Sequence, residues 1–219
     1  MEIAYLGHSA FKIKTKTGTL ITDPYGKHIG FALPSVSADV ITVSHRGHGD
    51  HDEISAVTGT ARRPEPFVID EPGEYEIEGI SIFGYQTWHD DVEGTLRGPN
   101  TIYVIQAEDV RILHLGDLGH MLEDKLLEEI DSVDVLMVPV GGHYTINAKR
   151  AVEVVSAIDP TFILPMHYKT DAHDTKTFGA LTSRDEFVKL SGLSARTVTS
   201  LSLSKLSLPE DLSEVIVFE

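Results

Sequence analysis

No cysteine occurs in the 219 residues. A disulfide framework and thiolate metal ligation are therefore excluded, and any bound metal has to be held by nitrogen and oxygen. Basic side chains are scarce, 18 against 34 acidic ones, for a formal charge of -16. Such a surface repels phosphate polymers and anionic lipid headgroups, so nucleic acid is not an expected partner. Long apolar runs are missing too. None approaches the roughly 20 residues that span a bilayer, and Met1 to Leu6 lacks the basic segment and apolar core of a signal peptide. No membrane association is expected, and a soluble, cytoplasmic protein is the default.

What the chain does have is a hydrophobic fraction of 41%, enough for one substantial core, and one domain over residues 1–219 is the expectation. It also has a polar octet, Ser44-His45-Arg46-Gly47-His48-Gly49-Asp50-His51, directly after the apolar run Asp39 to Val43. Three imidazoles and one carboxylate at the end of a buried strand can be turned by an irregular loop toward one point. These are ligand types that suit zinc, iron and manganese. The plain alternative is a solvated histidine-rich turn.

Elsewhere the pattern alternates between strand and helix signals. Glu2 to Leu6, Ala10 to Thr15 and Thr19 to Asp23 read as an antiparallel meander closed by Lys16-Thr17-Gly18 and ended by Asp23-Pro24. A short helix is expected over Asp52 to Thr58. Strands follow at Phe67 to Asp70, Tyr75 to Ile77, Ile80 to Trp88, Thr101 to Gln106 and Arg111 to Leu115. The period then changes, giving helices over Glu123 to Asp131 and, capped by Asn147, up to Asp159. Between them Asp134 to Val140 is an apolar strand covered on both faces, and Phe162 to Pro165 is the next. Asp171 to Thr182 reads as loop, Ser183 to Leu190 as helix, Thr197 to Leu203 as strand and Val215 to Phe218 as a terminal edge strand.

The octet, His89, Asp117 and His167 each follow a predicted strand. If those strands run the same way, they bring these residues to one edge of the sheets. Taken singly, each has an ordinary reading as a surface, turn or half-buried residue; the joint placement is what points to a pocket.

The octet resembles the His-x-His-x-Asp-His signature of the metallo-β-lactamase superfamily. Trp88-His89-Asp90, His114 to His120, Pro139 to Gly142 and Pro165-Met166-His167-Tyr168 resemble its later motifs. More narrowly, Tyr5-Leu6-Gly7-His8-Ser9 and these later segments are similar to the branch that includes ascorbate-6-phosphate lactonase and N-acyl-phosphatidylethanolamine phospholipase D. The resemblance runs from about Met1 to Thr170.

It implies an α/β fold, a four-layer αββα sandwich, with one or two ions at one edge: Zn2+, with Mn2+ or Fe2+ as alternatives. Carried over by position, His45, His48 and His89 would hold one ion, and Asp50, His51 and His167 the other, with Asp117 bridging. The expected chemistry is hydrolysis by metal-bound hydroxide, with Asp50 orienting it and His120 as the acid that protonates the leaving group. The expected substrate is a small ester, lactone or phosphodiester. His8 and His143 would line the pocket, and Asp90 would fix an imidazole. One departure stands out. The family pattern spaces its first two histidines two apart, whereas His45 and His48 are three apart. Either the loop carries one extra residue, which Gly47 helps to absorb, or Arg46 takes the first ligand position. A non-enzymatic metal-binding module and a metal-dependent nuclease remain as alternatives, and a homo-oligomer is left open.

Overall fold

Short β-branched runs broken by tight turns build the first sheet. The computed structural model describes residues 1–209 and 212–219. Strands β1 (Glu2–Gly7), β2 (Ala10–Lys14) and β3 (Thr19–Thr22) form the expected meander. The chain then passes through β4 (Val36–Ala38), β5 (Val40–Thr42), β6 (Val57–Gly59) and β7 (Phe67–Ile69). β5 and β7 extend the sheet in parallel with β3, whereas β4 and β6 pair with each other as a separate ribbon.

The second sheet grows from longer strands: β8 (Gly73–Ile77), β9 (Ile80–Trp88), β10 (Pro99–Ala107) and β11 (Val110–His114). Helix α1 (Asp124–Ile130), β12 (Val135–Pro139), α2 (Ala148–Ile158) and β13 (Phe162–Met166) follow. The last part holds α3 (Thr175–Phe178), α4 (Arg184–Ser191), β14 (Ser194–Val198), β15 (Leu201–Ser202) and β16 (Glu214–Phe218). The sheet orders are β15-β1-β2-β3-β5-β7 and β14-β16-β13-β12-β11-β10-β9-β8.

Alternation along the strands decides which side chains meet between the sheets. Ile3, Phe11, Ile13, Leu20 and Val40 of the first sheet pack on Ile82, Tyr103, Ile105, Ile112, Met137 and Leu164 of the second. The outer face of the second sheet, with Ile102, Val104, Leu136 and Ile163, is covered by α1, α2 and α4 through Ile130, Ala151, Val154 and Phe187. The first sheet's outer face, with Ile21 and Ile41, is covered by Ala38, Val57 and partly buried Ile54 and Val36 from the β4–β6 region. The expected layered sandwich is present, with its outer layer on that side made of short pieces rather than long helices.

Four local expectations differ from the structure. Asp52 to Thr58 is not a helix: one 3-10 turn over Ile54–Ala56 gives way to β-branched Val57 and Thr58, which pair with β4. Residues 171–182 are not all loop, because Asp174 accepts from the Lys176 and Thr177 amides and caps the single-turn α3. Residues 197–203 split at a bend, β14 joining the larger sheet and β15 pairing with β1. Finally, β16 is not an edge strand but lies between β13 and β14.

Strand direction positions the site. β11, β12 and β13 are parallel, and β9 runs the same way because it is antiparallel to β10, itself antiparallel to β11. Their C-terminal ends therefore share one edge of the sheet.

Candidate metal centre

The octet loop leaves β5 already anchored. Asp23, just past β3, is fully buried and accepts from the Ser44 amide (2.7 Å), the Ser44 hydroxyl (2.7 Å) and His51 Nδ1 (2.9 Å). With Nδ1 directed at Asp23, His51 turns Nε2 inward, 3.3 Å from Asp117 Oδ2. The same oxygen is 3.2 Å from His89 Nε2 and 3.3 Å from His167 Nε2. Three imidazole nitrogens from three strand ends thus converge on one carboxylate oxygen.

Asp117 is held there by its backbone. Its amide donates to Asn100 Oδ1 at 2.9 Å, while Asn100 Nδ2 donates to Thr87 Oγ1 and the Leu115 carbonyl. The preceding Gly116 has φ +53°, and a Cβ there would lie 2.4 Å from Ser44 Cβ, so the turn requires glycine. His167, at the end of β13, also takes a left-handed φ of 51°, and its amide donates to the His8 carbonyl.

Among the described residues, the buried and half-buried donors form three groups that could hold a metal ion: His45, His89 and Asp117; His45, Asp50 and His51; and His8, His51 and His167. His45 is thus among the clustered residues. Arg46, the alternative for the first ligand position, turns away to Asp70, with Nε 2.5 Å from Oδ2. That contact carries the Arg46 side chain away from the cluster.

Four residues named from the sequence stand elsewhere than expected. His48 is exposed and belongs to none of those groups. The Gly47 and Gly49 amides both donate to the Asp52 carboxylate, at 2.9 and 2.8 Å, and this pins the loop with the His48 ring 5.9 Å from that of His45, on the rim of the cluster rather than in it. His120 is turned from the cluster: Nε2 accepts from the Trp88 amide (3.0 Å) and Nδ1 donates to the Met121 carbonyl (2.7 Å). With both nitrogens engaged, at the lining of a separate cavity, it is not placed to protonate a leaving group. His143 is exposed against Tyr144. Asp90 fixes a loop rather than an imidazole, accepting the amides of Val92, Gly94, Leu96 and Arg97 at 2.7 to 3.0 Å.

Sequence reasoning missed Asp23, which reads as an ordinary Asp-Pro turn, and His173, which lies in a stretch without periodicity. The signal for Asp23 was present: it follows a strand as Asp117 and His167 do. For His173 no local signal exists, because its partner, His8, is 165 positions away.

Above the cluster opens a cavity of about 620 Å³. Its floor includes Asp50, His89 and Asp117, and its walls include Leu96, Arg97, Tyr144 and Phe178. The walls come from the loop that Asp90 organises, from the segment after β12 and from α3.

Electrostatics favour a cation at the cluster. Burial opposes charge on His51, yet Asp117, Asp50 and Asp23 outweigh it and lift its pKa well above the ordinary histidine value. Asp117 is pulled well below the carboxylate range by His167 and His51 in spite of its burial. His45 is pushed down to about 4 by burial and by His51, and so is neutral and able to ligate. Among the described residues, His51 Nε2, His167 Nε2, Asp50 Oδ1 and Asp117 Oδ1 are buried without a hydrogen-bond partner. Buried polar atoms of this kind are costly unless paired, and neutral imidazole with carboxylate is a donor set for a divalent transition metal. The residues present fit such an ion.

Known proteins resemble this chain in sequence and in fold. The family model for the beta-lactamase superfamily domain matches residues 2–167. A metal-dependent hydrolase of Staphylothermus marinus is 36% identical, over 77% of this chain and 83% of its own length. One from Methanopyrus kandleri is 31% identical, over 78% and 85%. A solved structure from Thermotoga maritima, described as a candidate Zn-dependent hydrolase of the metallo-β-lactamase superfamily, is 36% identical. It superposes with a TM-score of 0.79, covering 99% of this chain and 98% of that one. A metallo hydrolase of Ignicoccus hospitalis shares the fold at 19% identity and a TM-score of 0.68, over 100% of this chain and 94% of its own.

Proposed function

The chain belongs to the metallo-β-lactamase superfamily and to its metal-dependent hydrolases, and from that premise we propose that it hydrolyses a small ester, lactone or phosphodiester at a zinc centre. The observation that carries the reading is the convergence of His51, His89 and His167 Nε2 on Asp117 Oδ2 beneath an open cavity. His45 and His89 would hold one ion and His51 and His167 a second, with Asp117 between them and Asp50 within reach of His45 and His51. When bound, the ions supply Lewis acidity and activate water near neutral pH.

The protein's own groups do the rest. Asp23 holds His51 through Nδ1, so that Nε2 is the nitrogen turned toward a bound cation. Asp50 carries a buried oxygen free to orient a water molecule. Leu96, Tyr144 and Phe178 offer apolar contact to the body of a substrate, and Arg97 offers a charge to an anionic end. A single basic wall residue would neutralise little of a polyanion, which supports a small molecule over nucleic acid.

The test is elemental analysis of the purified protein together with hydrolysis of a panel of lactones, carboxylic esters and phosphodiesters, before and after chelation. About two equivalents of zinc, and turnover lost on chelation and restored by zinc, are expected. Turnover unaffected by chelation would overturn the proposal.

A further inference from the structure

His8 is fully buried at the turn after β1 and belongs to the group with His51 and His167, yet its ring is committed on the far side. His8 Nδ1 lies 3.3 Å from His173 Nε2. On the other edge of His173, Nδ1 receives the backbone N–H of Thr170 at 3.1 Å and lies 2.8 Å from the Thr170 hydroxyl, which can rotate to donate to the same lone pair. An amide can only donate, so His173 Nδ1 carries no proton, and a neutral His173 has its proton on Nε2. That proton points at His8 Nδ1, which must then accept. His8 in turn carries its own proton on Nε2, an atom that is buried without a hydrogen-bond partner among the described residues.

The chain Thr170 N–H to His173, His173 N–H to His8, therefore ends in an N–H rather than a lone pair. We infer that His8 is not a metal ligand but a fixed hydrogen-bond donor to an anionic oxygen bound at the His51–His167 side of the cluster, with His173 as the positioning residue that sets its tautomer. The inference rests on reading this cluster as a hydrolytic centre, where an acyl or phosphoryl oxygen gains charge and a preoriented donor stabilises it. Ring contacts hold the arrangement: His8 packs on His167 at 4.2 Å and on Phe178 at 5.1 Å between centroids, and Phe31 and Phe178 flank His173 at 5.1 and 5.4 Å.

Long-range 1H–15N correlation spectra of zinc-loaded protein, labelled at the imidazole nitrogens, read the tautomers directly and need no substrate. Protonated Nε2 and bare Nδ1 are expected for both His8 and His173, whatever the protein hydrolyses. A bare Nε2 on His8 overturns the inference. Two further readouts use variants. His8→Ala should retain the wild-type metal equivalents, and loss of one equivalent would make His8 a ligand instead. His8→Ala and His173→Leu should each weaken binding of inorganic phosphate to the zinc-loaded protein by about 10- to 100-fold, the value of a hydrogen bond to a charged group. His173→Gln, whose amide can replace the donated proton, should restore most of it. Phosphate affinity unchanged in His8→Ala would also overturn the inference. A protein with these tautomers and no hydrolytic activity would leave the donor standing and remove only the proposed function.

Discussion

His51 bridges two carboxylates: Nδ1 is 2.9 Å from Asp23 Oδ2, and Nε2 is 3.3 Å from Asp117 Oδ2. The first contact orients the ring and leaves the second nitrogen free to bind a cation. Asp23→Asn keeps the shape but replaces one of two accepting oxygens by a donor. Zinc affinity should fall about 10- to 100-fold, as for other partners that orient a ligand. Competition with a chromogenic chelator checks this, and unchanged affinity would separate Asp23 from the centre.

His45 and His48 should behave differently although they are three residues apart. His45 is buried in the cluster, whereas His48 is exposed on the loop that Asp52 pins and lines the cavity above it. His45→Ala is expected to lose about one metal equivalent together with most activity. His48→Ala should keep its metal, with an effect confined to substrate affinity. Elemental analysis of the two variants side by side decides the matter.

His120 was the natural acid from its sequence position, but both its nitrogens are spent on backbone groups. His120→Ala should leave kcat within a few-fold of wild type. It should lower stability by about 1 kcal/mol, the ordinary worth of the lost hydrogen bonds. A fall in kcat of a hundredfold or more would return His120 to the reaction.

Asp90 makes a pH prediction. Burial raises its pKa, but the amides of Arg97, Val92, Leu96 and Gly94 outweigh that and lower it below the ordinary carboxylate value. A carboxylate with a depressed native pKa adds stability that is fully present above its unfolded value of about 4, and loses it as pH falls through the native value. Asp90→Asn should therefore melt below the wild type at neutral pH, and the gap should close under acid conditions. Because the loop carries Leu96 and Arg97 into the cavity wall, KM should rise while metal content holds. Thermal melts from pH 7 to pH 3, with kinetics at pH 7, test both parts.

Much of this architecture is legible in the chain. The period-two strands, the switch to helical spacing at Leu122, and the recurrence of His or Asp just past a strand all follow from local chemistry. They bring out His45, His51, His89, Asp117 and His167 together. What the residues alone hide depends on partners far away in the chain. Asp23 is a turn residue until Ser44 and His51 fold onto it, and His120 is a plausible acid until the Trp88 amide occupies its ring. His173 carries no signal at all without His8. Val215 to Phe218 reads as an edge because sequence order does not say that β14 will take the outer place.

That last arrangement bears on how the protein is made. β14 is synthesised before β16, yet in the larger sheet it pairs with β16 and not with β13. On the ribosome β14 must wait, its ladder groups unmatched, until β16 emerges and inserts between two strands already outside the tunnel. Completion of the larger sheet thus waits on β16, and during that interval the open flank of β13 is the surface a chaperone would have to shield.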